Sequence, residues 1–459
     1  MTVSEELAAW ALGLRPESVP DEVGTRARDA ILDTVGVILA GVGEPVTRMV
    51  GELVAEDGCR PVASQLGTAL RTSPEQAALL NGVSGHALDF DDVSRSMEGH
   101  PSVVALPAAL AVAEAVGASG AELLAAYVVG VEVMGKLGRA LGARHYQAGW
   151  HATATVGAVG AAVAAGRLLG LDREGLGRAV AIAVSEAGGS RQNFGTMTKP
   201  FHAGHAARCG VHAARLAARG LTASRTALEG RYGYFALFAP GFGRPEALVA
   251  SLGRPFELVD PGLSVKRYPC CFATHRALDA VLDLRREHDL EPDRVERVRV
   301  TVPVGGLAPL IYDRPRNGLE GKFSLHYVVS AALLDGEVGL DAFTDEKVRR
   351  PAIAALEERV EVDEDPAIAV AHNPMEEGEV RVRIVLRDGS VRAGVVRHPR
   401  GSPARRLTRA ELVAKFRDCA SGLLGPERVE RALACLDRLD RLDRVDELTA
   451  ALRPAVMAA

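Results

Sequence analysis

The sequence predicts a mainly α protein: a large all-helical domain, interrupted by a smaller α+β domain and then completed by a helical return. Three observations carry this. Aromatic residues make up only 4% of the chain while glycine supplies 48 of 459 residues, a composition suited to helices that approach closely. Helix-start signals recur up to about residue 258. Two-residue alternation of apolar and polar side chains becomes prominent only after that point, over 295–306 and again in "GEVRVRIVLRDGSVRAGVVRHP".

The elements follow in order. Ser73-Pro74-Glu75 supplies an N-cap, a proline at the first helical position and an acid in the first turn, opening a helix through "AALLNGVSGHAL". Ser119 and Glu122 form a capping box ahead of "LLAAYVVGVEVMGKLGRAL". Asp172 caps "REGLGRAVAIAVSEA", which stops at Gly188-Gly189, and "HAGHAARCGVHAARLAARG" runs on small residues to Gly220. The alternating segments then form an antiparallel sheet with Asp388-Gly389 at a hairpin turn, accompanied by helical patterns at 273–288 and 323–335. Thr408 with Glu411 caps the return, "AELVAKFRDCASGLL". The predicted boundaries are 1–258 for the first helical part, 259–400 for the α+β lid domain and 401–459 for the completion.

At 459 residues the chain exceeds one simple core. Its formal net charge of −5 offers no global basic surface, so neither nucleic acid nor an anionic membrane is an expected partner. The acidic, amphipathic N-terminus does not read as a secretory signal. The most apolar later run, 156–166, stops at Arg167, too short to span a bilayer. Six cysteines without a C-x-x-C pair read as reduced thiols of a cytoplasmic protein.

Five stretches concentrate the chemistry. "GHALDFDDVSRSMEGHPS" (85–102) holds three Asp, two His and a Glu. If the preceding helix continues, His86 and Asp89 share a face at i and i+3. A solvated acidic loop is the plain alternative, and a Zn or Mn site on His86, Asp89 and Asp91 is another. His151, between Trp150 and a helix start, tends to stay neutral and available as a base, though a buried carbonyl-bonded histidine looks the same in sequence. Lys199 precedes Pro200, which places it in a turn just before a helix over 203–219; its ammonium and the helix N–H groups form an anion cradle. His202 and His205 at i and i+3 suit either a metal pair or packing. "VKRYPCCFATHRALDA" sets Lys266, Cys270, Cys271 and His275 at a helix start, and "EGKFSLHYVVSAALLDG" sets Lys322, Ser324 and Tyr327 at another.

Taken in order, "ALDFDD…GHPS", "GWHATAT", "GTMTKPFHAGHAA", "KRYPCC…TH" and "GKFSLHY", followed by "HPRGSP" and "ELVAKF", resemble the MmgE/PrpD family over essentially the whole chain. That family includes 2-methylcitrate dehydratase, cis-aconitate decarboxylase and iminodisuccinate epimerase. The resemblance implies a helical domain with an α+β lid, a homodimer, and a site for a small polycarboxylate worked without metal or organic cofactor. Its site residues fall on Asp89, His100, His151, Lys199, Lys266 and Tyr327. In that reading His100, His151, Asp89 and Tyr327 are catalytic, and Lys199 and Lys266 hold substrate carboxylates as point charges. The chain departs from the decarboxylase pattern at Val93, where that pattern has threonine, and at Cys271, where it has histidine; His275 then supplies the missing imidazole beside Cys271. The departures turn the expectation toward a dehydratase-like lyase acting by proton transfer α to a carboxylate. An epimerase or isomerase, a cis-aconitate-type decarboxylase and a non-catalytic anion-binding member are the alternatives.

Overall fold

The computed structural model describes residues 1–370, 373–374 and 377–454. The chain divides into two compact units. The larger comprises Met1–Gln192, Thr198–Val265 and Thr408–Ala459, and the smaller Asn193–Met197 with Lys266–Leu407.

The larger unit is helical. It opens with α1 (Val3–Gly13), α2 (Asp21–Gly41) and α3 (Pro45–Asp57), then the two-residue strands β1 (Ala63–Ser64) and β2 (Arg71–Thr72). There follow α4 (Pro74–Ala87), β3 (Val93–Ser94), α5 (Ser102–Val116), α6 (Gly120–Leu141), α7 (Arg144–Gln147), α8 (Ala152–Leu168), α9 (Arg173–Glu186) and α10 (Thr198–Ala218). Short α11 (Tyr234–Phe238) and α12 (Pro245–Ala250) lead to β4 (Leu263–Ser264), which pairs antiparallel with β3. The expected caps form: Ser73 accepts from the Gln76 N–H, Ser119 and Glu122 close a capping box, and Asp172 accepts from the Gly175 N–H.

α10 packs against both α4 and α8, and small residues make that possible. A Cβ at Gly82 of α4 would lie 2.6 Å from the Gly204 Cα of α10, and one at Gly210 would lie 2.3 Å from the Ala161 side chain of α8. No larger residue fits either crossing without moving a backbone. The sequence reading places Lys199 in a turn before the helix; instead α10 begins at Thr198 and takes Lys199 and Pro200 into its first turn. Proline is tolerated there because a first-turn N–H has no intrahelical acceptor to lose.

The smaller unit carries α13 (His275–His288), β5 (Val295–Pro303), α14 (Gly318–Gly321), α15 (Leu325–Asp335), α16 (Asp345–Val348), α17 (Pro351–Glu357), β6 (Val360–Asp365), β7 (Val380–Leu386) and β8 (Val391–Val396). Its sheet runs in the order β6-β5-β7-β8. β5–β7 and β7–β8 are antiparallel, but β5–β6 is parallel, so the expected purely antiparallel sheet is in fact mixed. The sequence signal missed β6, "VEVDED", because acids crowd it and its exposed positions hide the alternation. The apolar faces of β5 and β7 pack with α13 and α15 in one core.

The chain returns to the larger unit through α18 (Arg409–Ser421), α19 (Pro426–Asp437) and α20 (Asp446–Ala451), with the Thr408–Glu411 capping box in place. Residues 455–459 of the predicted helical completion lie outside the described residues. No single helix among the described residues is long and apolar enough to cross a membrane.

Candidate active site

The acidic stretch is a buried turn rather than a solvated loop. α4 ends at Ala87, and Asp89 adopts φ 51°, a left-handed conformation that aspartate tolerates better than most residues. This break corrects the expectation that His86 and Asp89 share a continuing helical face. Asp89 instead forms a buried ion pair with Lys199 in the first turn of α10. Phe90 between the acids has a partner from the far end of the chain. The Lys415 ammonium of α18 lies over the Phe90 ring at 3.7 Å from its centroid, donates to the Phe90 carbonyl oxygen at 2.9 Å, and pairs with Asp33 at 2.7 Å.

Asp91 is fully buried and serves two imidazoles. His86 Nδ1 lies 2.9 Å from Asp91 Oδ2, and His100 Nδ1 lies 3.0 Å from the same oxygen and 2.9 Å from the Asp92 carbonyl oxygen. These partners are acceptors only, so both rings carry a proton on Nδ1 and Nε2 is left for other chemistry. Burial alone would raise the Asp91 carboxyl, but His100 and His86 together hold it well below the usual carboxylate range. His86 is held neutral, its pKa lowered to about 3, by burial first, with Lys199 and His100 adding to the effect against the pull of Asp91.

Asp92 behaves oppositely. Burial pushes its carboxyl up to about 8, with the neighbouring Asp33 and Asp91 charges adding to the rise. Its carboxyl is bonded by the Ser102 hydroxyl and by the Ser102 N–H at 3.3 Å, and that hydroxyl lies 2.6 Å from the Tyr127 hydroxyl. Asp92 thus ties the turn to the start of α5.

His151 is the N-cap of α8, and its N–H donates to the Gly189 carbonyl oxygen at 3.0 Å. The glycine pair after α9 is therefore more than a helix stop. Gly189 has φ 148°, and a Cβ there would lie 2.7 Å from the Ala154 Cβ. The His151 ring meets His202 of α10, Nδ1 to Nδ1 at 3.1 Å. Burial first, then the surrounding His86, Lys199, His202 and His100, keep His151 well below the ordinary histidine value; burial lowers His202 to about 4. Ring centroids run His100–His86 4.5 Å, His86–His151 5.9 Å and His151–His202 5.3 Å. His205 does not join them. It meets Cys209 Sγ at 3.4 Å and Arg208 at 3.2 Å, so the His202–His205 metal pair does not form.

The larger unit thus brings together Asp89, His100, His151 and Lys199, and adds His86, Asp91 and His202, which the sequence offered as metal ligands or packing rather than as neighbours of the acid/base groups. Nothing local marks His202 over His205.

The other four candidates lie in the smaller unit. Lys266 is buried. The Cys271 N–H donates to the Lys322 carbonyl oxygen at 3.0 Å, and the fully buried His275 lies with Nε2 3.3 Å from the Cys270 carbonyl oxygen, its ring against Tyr268 and Phe272. Tyr327 is fully buried, and its hydroxyl donates to the Ala342 carbonyl oxygen. Burial raises its pKa above the usual phenol value. A hydroxyl so placed is occupied as a structural donor in this conformation.

The MmgE/PrpD N-terminal domain model matches residues 5–246, and the MmgE/PrpD C-terminal domain model matches residues 268–441. The cis-aconitate decarboxylase of Mus musculus is 31% identical over 98% of this chain and 93% of its own length. That of Homo sapiens is 31% identical over 94% of this chain and 90% of its own. The 2-methylcitrate dehydratase of Cupriavidus necator is 28% identical over 89% and 88%. The chain is an enzyme of lyase type. It belongs to the MmgE/PrpD family.

Proposed function

We propose that the protein is a cofactor-independent lyase that acts on a small di- or tricarboxylate by moving a proton α to a carboxylate. The observation that supports this most is the row of four imidazoles, of which burial holds His86, His151 and His202 neutral and Asp91 fixes His86 and His100, beside the Lys199 ammonium. Neutral imidazole can accept a proton, and a fixed ammonium favours a substrate carboxylate and the negative charge that develops when its α-hydrogen leaves. His100, the one imidazole of the row with partial solvent exposure, and His151 are the acid/base groups. Asp91 holds the His100 ring, and Lys199 exchanges part of its contact with Asp89 for a substrate carboxylate. Lys266, Cys271, His275 and Tyr327 are the further candidates that the family resemblance supplies. The protein works as a homodimer in the cytoplasm.

In a dehydration the base takes the α-hydrogen, the C–H pair forms the double bond, and the β-hydroxyl leaves as water after receiving a proton. In a cis-aconitate-type decarboxylation the C–CO2 pair stays on carbon, carbon dioxide leaves, and an acid delivers the proton. The decarboxylase reading has its own support in the 31% identity to the two mammalian decarboxylases. Val93 and Cys271 stand against it, and epimerisation uses the same carbanion-like state. The purified protein should be given 2-methylcitrate, cis-aconitate and iminodisuccinate separately, with alkene formation, carbon dioxide release and loss of optical rotation followed. Loss of water from a hydroxy-polycarboxylate supports the dehydratase; carbon dioxide from cis-aconitate alone replaces it with the decarboxylase.

A further inference from the structure

We propose that His86, Asp89 and His100 form a binding site for one zinc-type divalent cation, which competes with the Lys199 ammonium for Asp89 and blocks the site when bound. One ring nitrogen of each histidine and one carboxylate oxygen of Asp89 all lie within 4.8 Å of one another. Zinc–nitrogen and zinc–oxygen bonds of about 2.0–2.2 Å put tetrahedral ligands about 3.4 Å apart, so modest side-chain rotation closes the set.

The surroundings are those of a metal site already supported from behind. Metal-bound histidines commonly give the other ring nitrogen to a carboxylate, which fixes the ring and strengthens the ligand. Asp91 does this for both rings, holding His86 Nδ1 and His100 Nδ1. That leaves Nε2 as the ligating atom, and His86 Nε2 is buried with no hydrogen-bond partner among the described residues. Two imidazoles and one carboxylate favour Zn2+ over Mg2+ or Ca2+, which prefer all-oxygen shells. Asp89 now pairs with Lys199; a dication at the same carboxylate opposes the ammonium and takes the imidazole lone pairs. The ion is therefore an inhibitor here. This inference does not depend on which reaction the site performs.

The test uses the full-length chain, freed of metal and titrated calorimetrically with ZnCl2 and, in parallel, MgCl2. One saturable Zn2+ per chain is expected, with no Mg2+ binding at the same concentrations. His86→Gln and Asp89→Asn should each weaken Zn2+ at least about tenfold, and Asp91→Asn about 10–100-fold, the usual scale for losing a supporting carboxylate. Lys199→Met should tighten Zn2+ at least about tenfold, a gain that damaged folding does not produce. His205→Gln serves as the control for the His205–Cys209 pair and should leave the affinity unchanged. Unaltered affinity in both His86→Gln and Asp89→Asn, weaker binding in Lys199→Met, or loss of the site in His205→Gln would each overturn the assignment.

Discussion

His151 and His202 meet Nδ1 to Nδ1 at 3.1 Å, one from the N-cap of α8 and the other from the second turn of α10. Only one of the two nitrogens can carry the proton in that contact, so each ring fixes the tautomer of the other. His202 is accordingly a positioning residue for His151. His202→Ala should lower kcat by about 10–100-fold with little change in KM, and His202→Asn should recover part of the loss because an amide can supply a donor or acceptor. Equal losses in both variants with a raised KM would mean that His202 acts through packing alone.

Lys199 and Asp89 form a buried pair, so removing one partner leaves an uncompensated charge. Lys199→Ala should destabilise the protein by about 3–5 kcal/mol in denaturant titration. The double variant Lys199→Ala/Asp89→Asn should regain most of that stability while ligand binding stays lost. Recovery of polycarboxylate binding in the double variant would remove Lys199 from substrate recognition.

Lys415 ties α18 to Asp33 on α2 and to Phe90 inside the acidic turn. Lys415→Ala should also cost about 3–5 kcal/mol and should lower activity through the loosened turn. Calorimetric unfolding together with turnover checks this; an unchanged melting temperature would show that the pair contributes little.

Much of this arrangement was legible in the sequence and some of it was not, for identifiable reasons. The caps at Ser73, Ser119, Asp172 and Thr408 are local chemistry, and all four form. The β7–β8 hairpin is local as well. Phe90 could not be explained locally, because its partner lies 325 residues away. The Asp91 link to two histidines depends on the chain leaving the helix after Ala87, which a helical projection does not include. His202 and His205 look alike in sequence, and only the close crossings at Gly204 and Gly210 decide which faces His151.

Asp92 gives a pH dependence with a definite sign. Its folded-state pKa of about 8 stands above the ordinary aspartate value of 3.8, so the folded state binds the proton more tightly. The stabilisation is fully present below about pH 4 and is lost as pH rises through about 8. Asp92→Asn should flatten this decline between pH 4 and 8. His86 acts in the other direction: its pKa is lowered from 6.5 to about 3, so its contribution is present above about pH 6.5 and is lost as pH falls toward 3. Stability curves of wild type, Asp92→Asn and His86→Gln separate the two; a decline above pH 6.5 that persists unchanged in Asp92→Asn would assign it to another group.

The central claim is proton transfer α to a carboxylate by His100 and His151, and hydrogen exchange tests it most directly. In deuterated water with a polycarboxylate that binds, the wild type should exchange a carbon-bound α-hydrogen for deuterium even where net turnover is slow. His100→Ala and His151→Ala should each slow that exchange by at least about a hundredfold while leaving most of the binding, since Lys199 remains. A polycarboxylate that binds tightly to the wild type and shows no exchange, elimination or inversion would contradict the account.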